Sequence, residues 1–174
     1  MKSGLSVILL SACLLFSLTS CQSVDDDRIP AMPVNISLAD AGTWNIYGVF
    51  GFGQSTNFIL TPGTRVPYGF PYNAMSATGF GGVLLISGLD TYTGLTDAPL
   101  AYDLSCPVER SPEIRVAILP ETLNAQCPVC KSVYDVTVGA GGPISGPAAS
   151  GKHKYGLKRY HCVESGQGGY FIIN

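Results

Sequence analysis

Short runs of alternating apolar and polar residues dominate the chain from residue 34 to its C-terminus. Alternation at every second position predicts half-buried β-strands. Glycine, proline, asparagine or aspartate separates the runs, and no long stretch has the period of an amphipathic helix. We therefore predict an all-β fold of stacked antiparallel sheets or a small barrel. The predicted strands cover residues 34–38, 57–60, 82–87, 100–104, 114–119, 133–138, 157–163 and 169–173.

The composition agrees with a turn-rich β domain and argues against one class of partner. Apolar residues make up 46% of the 174 residues, which is enough for a hydrophobic core. The chain also contains 21 glycines and 12 prolines, as expected where many turns join short strands. The formal net charge of −2 provides no strong basic field, so no nucleic-acid partner is expected.

The N-terminus has the parts of an export signal. Lys2 supplies a positive charge, and residues 5–18 form an apolar stretch that is too short to span a bilayer comfortably. Leu18-Thr19-Ser20-Cys21 resembles the lipobox of bacterial lipoproteins. The resemblance implies removal of residues 1–20, acylation of Cys21 and attachment through that lipid to the cell envelope, at the outer membrane or on the cell surface. A plain secretory signal, in which Cys21 is incidental, is the alternative.

Residues 21–33 are interpreted as a tether between this anchor and a single β domain that covers residues 34–174. The segment contains Asp25-Asp26-Asp27 and two prolines, a composition typical of solvated chain. The acidic run also resembles the surface-export signal on lipoproteins of some Gram-negative groups. A spacer that keeps the domain away from the membrane is the other interpretation.

Four cysteines lie in the predicted domain, three of them in loops between predicted strands. Cys106 lies in Ser-Cys-Pro-Val-Glu, whereas Cys127 and Cys130 form a Cys-Pro-Val-Cys motif. Two cysteines at this spacing in a tight turn can bind one metal ion or form a disulfide, because their sulfur atoms converge. Cys162 lies on a predicted strand, where we expect a small buried side chain away from these loops.

From residue 101 onward the chain resembles a Rieske 2Fe–2S domain. Rieske domains carry Cys-x-His in one loop and Cys-x-x-His in a second, which continues with Gly-Ser-x-Phe/Tyr-Asp. This chain has Cys-Pro-Val-Cys-Lys-Ser-Val-Tyr-Asp at 127–135, Gly-Pro-Ala at 146–148 and Leu-Lys-Arg-Tyr at 157–160. Ala-Tyr-Asp-Leu-Ser-Cys-Pro at 101–107 matches the approach to the first loop. The resemblance implies a Rieske-like fold with a metal-loop subdomain at about 104–148.

Both histidine ligands of the Rieske family are missing from this chain. By position, Cys106 and Cys127 match the two cysteine ligands of the family, which bind one iron of the cluster. Val108 matches the first histidine and Cys130 the second, and the histidines bind the other iron. A valine cannot act as a ligand, so the carried-over set is incomplete.

The residues around the ligands match the family better. The resemblance places Ser132 where a serine donates a hydrogen bond to a bridging sulfide, and Tyr134 where a tyrosine donates to a cysteine sulfur. Such donors raise the reduction potential of a cluster. Gly146 and Pro147 match the loop that shields the cluster from water.

Four alternatives for the cysteine site stay open. In the first, Cys106, Cys127 and Cys130 hold a 2Fe–2S cluster for electron transfer to a redox partner, and His153 is a candidate fourth ligand. The second is a clusterless binding or structural module with a disulfide, since disulfides persist outside the cytosol. Its candidate pairs are Cys106 with Cys127, which family geometry brings close, and Cys127 with Cys130. The third is a structural zinc site on the same cysteines, and the fourth is thiol–disulfide exchange at Cys127 and Cys130.

Two further observations limit the function. The chain has two histidines, no nucleophile-elbow motif and no phosphate-binding glycine loop, so an enzymatic role would be at most that of a redox component. A modest basic patch suits an acidic partner, an anionic lipid headgroup or solvent; it comprises Lys152, His153, Lys154, Lys158 and Arg159.

Overall fold

The computed structural model describes residues 23–91, 93–138 and 140–174. The predicted signal peptide and the proposed lipidation site Cys21 lie outside these ranges. The strands, in chain order, are β1 (Val24–Asp25), β2 (Val34–Asp40), β3 (Ser55–Thr61), β4 (Thr64–Val66), β5 (Ala77–Thr78), β6 (Val83–Gly88), β7 (Ala98–Asp103), β8 (Ala117–Ile118), β9 (Ala125–Gln126), β10 (Val133–Asp135), β11 (Gly142–Ser145), β12 (Lys154–Tyr155), β13 (Arg159–Glu164) and β14 (Gly168–Ile173). A short helix, α1 (Ala41–Tyr47), follows β2. The predicted all-β class is confirmed.

The largest sheet is antiparallel and has eight strands in the order β4-β3-β6-β7-β13-β14-β2-β5. Its interior strand β6 is buried on both faces. Leu84 and Ile86 face one hydrophobic core, whereas Val83 and Leu85 face a second core on the other side of the sheet. This double burial explains why residues 82–87 form a continuous apolar run in the sequence instead of an alternating one.

Helix α1 covers part of the second core. The Asp40 carboxylate accepts a hydrogen bond of 2.8 Å from the Thr43 N–H, which caps the first turn of the helix. The helix buries Trp44, whose backbone oxygen accepts a hydrogen bond from Gly48 at the C-terminal end. With seven residues, the helix is too short to produce a detectable 3.6-residue pattern.

A second sheet of four short strands, in the order β11-β10-β9-β8, packs against the first core and carries the cysteine loops. Its strands are shorter than the sequence pattern predicts. Strand β10 ends at Asp135 because the Asp135 carboxylate accepts hydrogen bonds from the N–H groups of Thr137 and Val138. Over the last part of the predicted strand 133–138, the hydrogen bonds of this turn therefore take the place of hydrogen bonds between strands.

The N-terminal segment contacts the domain at a few points, although residues 23–27 and 30–33 are exposed to solvent. Strand β1 pairs in parallel with β12, so Val24 lies opposite Lys154. Ile29 is 3% exposed, and Asp27 forms an ion pair with Lys158. The Arg28 guanidinium lies 3.7 Å from the centre of the Tyr155 ring. Among the described residues, no helix is long and apolar enough to cross a membrane.

Candidate metal centre

Three cysteine side chains converge between the small sheet and the first hydrophobic core. The Sγ atoms of Cys106, Cys127 and Cys130 all lie within 4.8 Å of one another. Those of Cys106 and Cys130 are 3.6 Å apart. All three cysteines are free, Cys106 and Cys127 are fully buried, and Cys130 is half-buried. The group could therefore hold a metal ion.

The backbone of two loops brings these sulfurs together. After β7, the Cys106 N–H donates to the Ile114 carbonyl at 3.1 Å, and the Cys106 carbonyl accepts from the Arg110 N–H at 2.9 Å. After β9, the Cys127 N–H donates to the Ser132 carbonyl at 2.9 Å and closes the turn that contains Cys130. Lys131 has φ 60° in this turn, a left-handed conformation that side-chain-bearing residues rarely adopt. The Cys-x-x-Cys segment thus folds back on itself.

Two hydroxyl groups contact the sulfurs of this group. The Tyr134 hydroxyl lies 3.4 Å from Cys106 Sγ. The Cys130 thiol donates to the Ser132 hydroxyl, with 3.2 Å between Sγ and Oγ. Ser132 also accepts a 3.0 Å hydrogen bond from the Ala148 N–H. The Ser132 hydroxyl has one proton and two acceptor positions, and the Ala148 N–H uses one of those positions. If Cys130 is a thiolate, the Ser132 hydroxyl can therefore donate its proton to the Cys130 sulfur.

Gly146 allows the loop 146–148 to approach the cysteine turn. Its φ is 79°, and a Cβ atom there would lie 2.7 Å from the Ser132 Cα. A larger residue would push Ala148 away from Ser132 and break their hydrogen bond. Pro147 is exposed, and its carbonyl accepts from the Ser150 N–H at 3.3 Å. Both residues shape the loop that covers Ser132.

Burial determines the protonation state of the metal-free site. Desolvation raises the pKa of the Cys127 thiol to about 12, with smaller contributions from hydrogen bonds to Cys106 and Cys130. Desolvation is also the main cause that raises the pKa of Tyr134, followed by its hydrogen bond to Cys106. At neutral pH, Cys127 is a neutral thiol and Tyr134 remains a hydrogen-bond donor. A metal ion would have to displace the Cys127 proton.

Three other positions from the sequence analysis are not members of this group. His153 is exposed in the loop before β12, and the converging ligand atoms come from the three cysteines alone among the described residues. Val108 is partly buried and packs against the first core. Cys162 is partly buried against the second core, on the strand where it was predicted. In the part of the chain that the structure describes, the group of potential ligands therefore consists of three cysteines, with no histidine or carboxylate among them.

The three cysteines are one ligand short of the set that a 2Fe–2S cluster takes. A 2Fe–2S cluster takes four protein ligands, two on each iron. Here three sulfurs lie within 4.8 Å of one another, and valine stands at the position that would complete the second pair. Thiolate sulfur suits zinc and iron alike.

One relationship at this site is not predicted by the sequence. The candidate disulfide pairs were Cys106–Cys127 and Cys127–Cys130, whereas the structure also brings the Sγ atoms of Cys106 and Cys130 to 3.6 Å. Position in the family pattern was the only available signal, and it assigns these two residues to different irons.

Comparison of the chain with models of protein families, with curated proteins and with solved structures found no match.

Proposed function

We propose that this protein is a lipid-anchored envelope protein whose Rieske-like domain binds one metal ion through Cys106, Cys127 and Cys130. The convergence of the three sulfurs within 4.8 Å carries this proposal. The domain acts as a binding or structural module of the envelope, held at the membrane by lipid on Cys21.

The spacing of the sulfurs supports zinc as the ion. Zinc–sulfur bonds of about 2.3 Å in a tetrahedral arrangement separate two sulfurs by about 3.8 Å. The distance between Cys106 Sγ and Cys130 Sγ is 3.6 Å. A contact between two thiols can have the same length, so the convergence of the third sulfur, that of Cys127, is the observation that favours a ligand set.

A bound ion would link two parts of the chain that are distant in sequence. It would join Cys106, which follows β7, to the turn of Cys127 and Cys130, which follows β9. Structural zinc couples its binding free energy to folding in this way. Three protein ligands leave one position of a four-coordinate ion for water or for a donor atom from a partner. Cys130 is half-buried, so solvent reaches the site from its side.

In the proposed envelope location, a bound ion would also keep these thiols reduced. Outside the cytosol, free thiols that lie this close together tend to oxidise to a disulfide. Coordination would occupy the sulfur lone pairs and protect the thiolates, so loss of the ion should leave a disulfide in its place.

A second candidate function is electron transfer through a 2Fe–2S centre on the same cysteines. The hydroxyl contacts of Tyr134 with Cys106 and of Ser132 with Cys130 favour it, because such donors raise the reduction potential of iron–sulfur centres. The missing donor at Val108 counts against it, since a fourth ligand would have to come from outside the described group.

Metal analysis of the native protein distinguishes the two candidates. The full-length protein is produced in a bacterial host with iron–sulfur assembly machinery and purified from membranes without oxygen. Zinc and iron are then quantified, and visible and EPR spectra are recorded before and after reduction. We expect colourless, EPR-silent protein with about one zinc ion per chain. Two irons and a signal on reduction would support electron transfer, and metal-free protein with a disulfide would contradict both.

A further inference from the structure

The N-terminal segment meets the domain at one defined surface. Strand β1 pairs with β12, and the Gly156 N–H donates to the Asp25 carbonyl at 2.8 Å. We call β1, Arg28, the loop 149–153 and β12 the anchor-side surface. Any group attached shortly before Val24 must therefore lie next to this surface.

The proposed lipid lies within a short reach of that surface. Cys21 precedes Val24 by three positions, and extended chain covers at most about 3.6 Å per residue. The Cα atoms of the two residues can therefore be at most about 11 Å apart. Because Val24 is fixed opposite Lys154, a lipid on Cys21 brings Lys154 close to the headgroup layer. This distance is comparable to the Debye length at physiological ionic strength, about 8 Å.

The charge of this surface is opposite in sign to that of the whole chain. Lys152 and His153 are exposed, and Lys154 is half-buried. Of the three acids in the N-terminal segment, Asp27 is paired with Lys158. On the anchor-side surface the ionisable groups are mainly basic, whereas the chain carries a formal charge of −2: Arg28, Lys152 and Lys154 stand against Asp25. Asp26 and Arg159, which have opposite charges, lie beside this surface.

We infer that the anchor-side surface lies on an anionic lipid headgroup layer and holds the cysteine site close to the bilayer. The second part rests on two hydrogen bonds that connect this surface to the cysteine site. The Tyr155 N–H of β12 donates to the Ala148 carbonyl at 3.0 Å, and the Ala148 N–H donates to Ser132, which contacts Cys130. The inference rests on the lipidation of Cys21 in the proposed function. It assigns the basic residues around β12 a partner, the phosphate of phospholipids.

Amide hydrogen exchange on the full-length lipidated protein tests the inference. Mass spectrometry of the N-terminal peptide first establishes whether Cys21 carries lipid, so a failure of lipidation is recognised separately. The protein is then reconstituted into vesicles of phosphatidylcholine alone or with phosphatidylglycerol. We expect the amides of residues 150–156 to exchange about fivefold more slowly in the anionic vesicles than in phosphatidylcholine alone. One lysine near an anionic surface contributes about 1 kcal/mol to membrane binding, which corresponds to this factor.

A matched pair of charge reversals completes the test. Lys152→Glu changes the anchor-side surface, and Arg65→Glu makes the same charge change at an exposed position of β4. We expect the first variant to lose the slower exchange and the second to retain it. Equal exchange in both vesicle types, or equal behaviour of the two variants, would overturn the inference even where Cys21 is lipidated.

Discussion

The sulfur atoms of Cys106 and Cys130 lie 3.6 Å apart, although 24 positions separate the two residues in the chain. Replacement of either cysteine by serine should therefore remove one of three metal ligands. Structural zinc contributes about 10–16 kcal/mol, so the loss of one ligand should weaken zinc binding at least about 100-fold. Competition with a chromogenic chelator measures this affinity.

Cys162→Ser is the matched control for these variants. Cys162 packs against the second core and lies outside the sulfur group. Its replacement should leave the zinc affinity within about twofold of the wild type. Similar losses in the Cys162 and Cys130 variants would show that the effect comes from general destabilisation.

The metal-free protein should form a disulfide between Cys106 and Cys130. A small side-chain rotation would shorten their separation to the S–S bond length of about 2.05 Å. Oxidised glutathione would be the electron acceptor, and it would leave as two molecules of the thiol. Peptide mapping by mass spectrometry should find the Cys106–Cys130 bridge in the Cys127→Ser variant, and excess zinc should suppress it. A Cys127→Ser protein that stays fully reduced would contradict the geometry.

Zinc binding should become tighter as pH rises. Burial raises the pKa of the Cys127 thiol to about 12, so zinc must displace its proton throughout the neutral range. Each released proton makes the affinity increase about tenfold per pH unit. Titrations between pH 6 and 8 should give a slope of at least one in the logarithm of the affinity. A pH-independent affinity would mean that Cys127 is not a ligand.

The same raised pKa predicts the opposite pH dependence for the stability of the metal-free protein. The folded state favours the neutral thiol, so the contribution of Cys127 is fully present below its ordinary pKa of 9.0 and is lost as pH rises towards about 12. Urea unfolding of metal-free protein should therefore show a midpoint that falls above pH 9. Stability that increases over this interval would contradict the assigned shift.

Two buried tyrosines provide a comparison for the role of hydroxyl contacts at the site. Tyr134 contacts Cys106 through its hydroxyl, whereas the buried hydroxyl of Tyr102 has no hydrogen-bond partner in the described part of the chain. Tyr134→Phe should weaken zinc binding about 10-fold or more, as is typical for partners of metal ligands. Tyr102→Phe should leave the affinity unchanged and keep or raise stability. Equal affinities for the two variants would exclude a role for the Tyr134 hydroxyl.

The N-terminal segment should contribute to the stability of the domain. Ile29 is 3% exposed, and Ile→Ala replacements at buried positions cost about 2–5 kcal/mol. Met32→Ala, at a side chain that is 44% exposed, should change stability by less than about 0.5 kcal/mol. Urea unfolding measures both variants. An Ile29 variant as stable as the Met32 variant would restore the interpretation of this segment as a solvated tether.

The sequence predicted the parts of the fold that depend on local alternation. The runs that became β2, β3, β7, β13 and β14 are long enough for a period of two to be visible, and the continuous apolar run of β6 was visible without one. Strands of two residues such as β1 and β12 have no detectable period and form because tertiary contacts align them. The composition predicts that residues 25–27 are solvated. It does not predict the ion pair of Asp27 with Lys158, because Lys158 lies far along the chain.

The cysteine site was predictable in its members and not in its geometry. Loop positions and the Cys-x-x-Cys spacing identified Cys106, Cys127 and Cys130 from the sequence. The distances between the sulfurs depend on the geometry of the turn, including the left-handed backbone at Lys131. The number of residues between two cysteines does not determine this geometry. His153 looked suitable by residue type, and the structure leaves it in the exposed loop 149–153.

X-ray absorption at the metal edge tests the central claim most directly. Full-length protein loaded with zinc should show three sulfur neighbours at about 2.3 Å and one lighter oxygen or nitrogen neighbour. The Cys130→Ser variant should lose one sulfur neighbour, while Cys162→Ser should retain all three. A shell without sulfur, or one that is unchanged in the Cys130 variant, would contradict a metal centre on Cys106, Cys127 and Cys130.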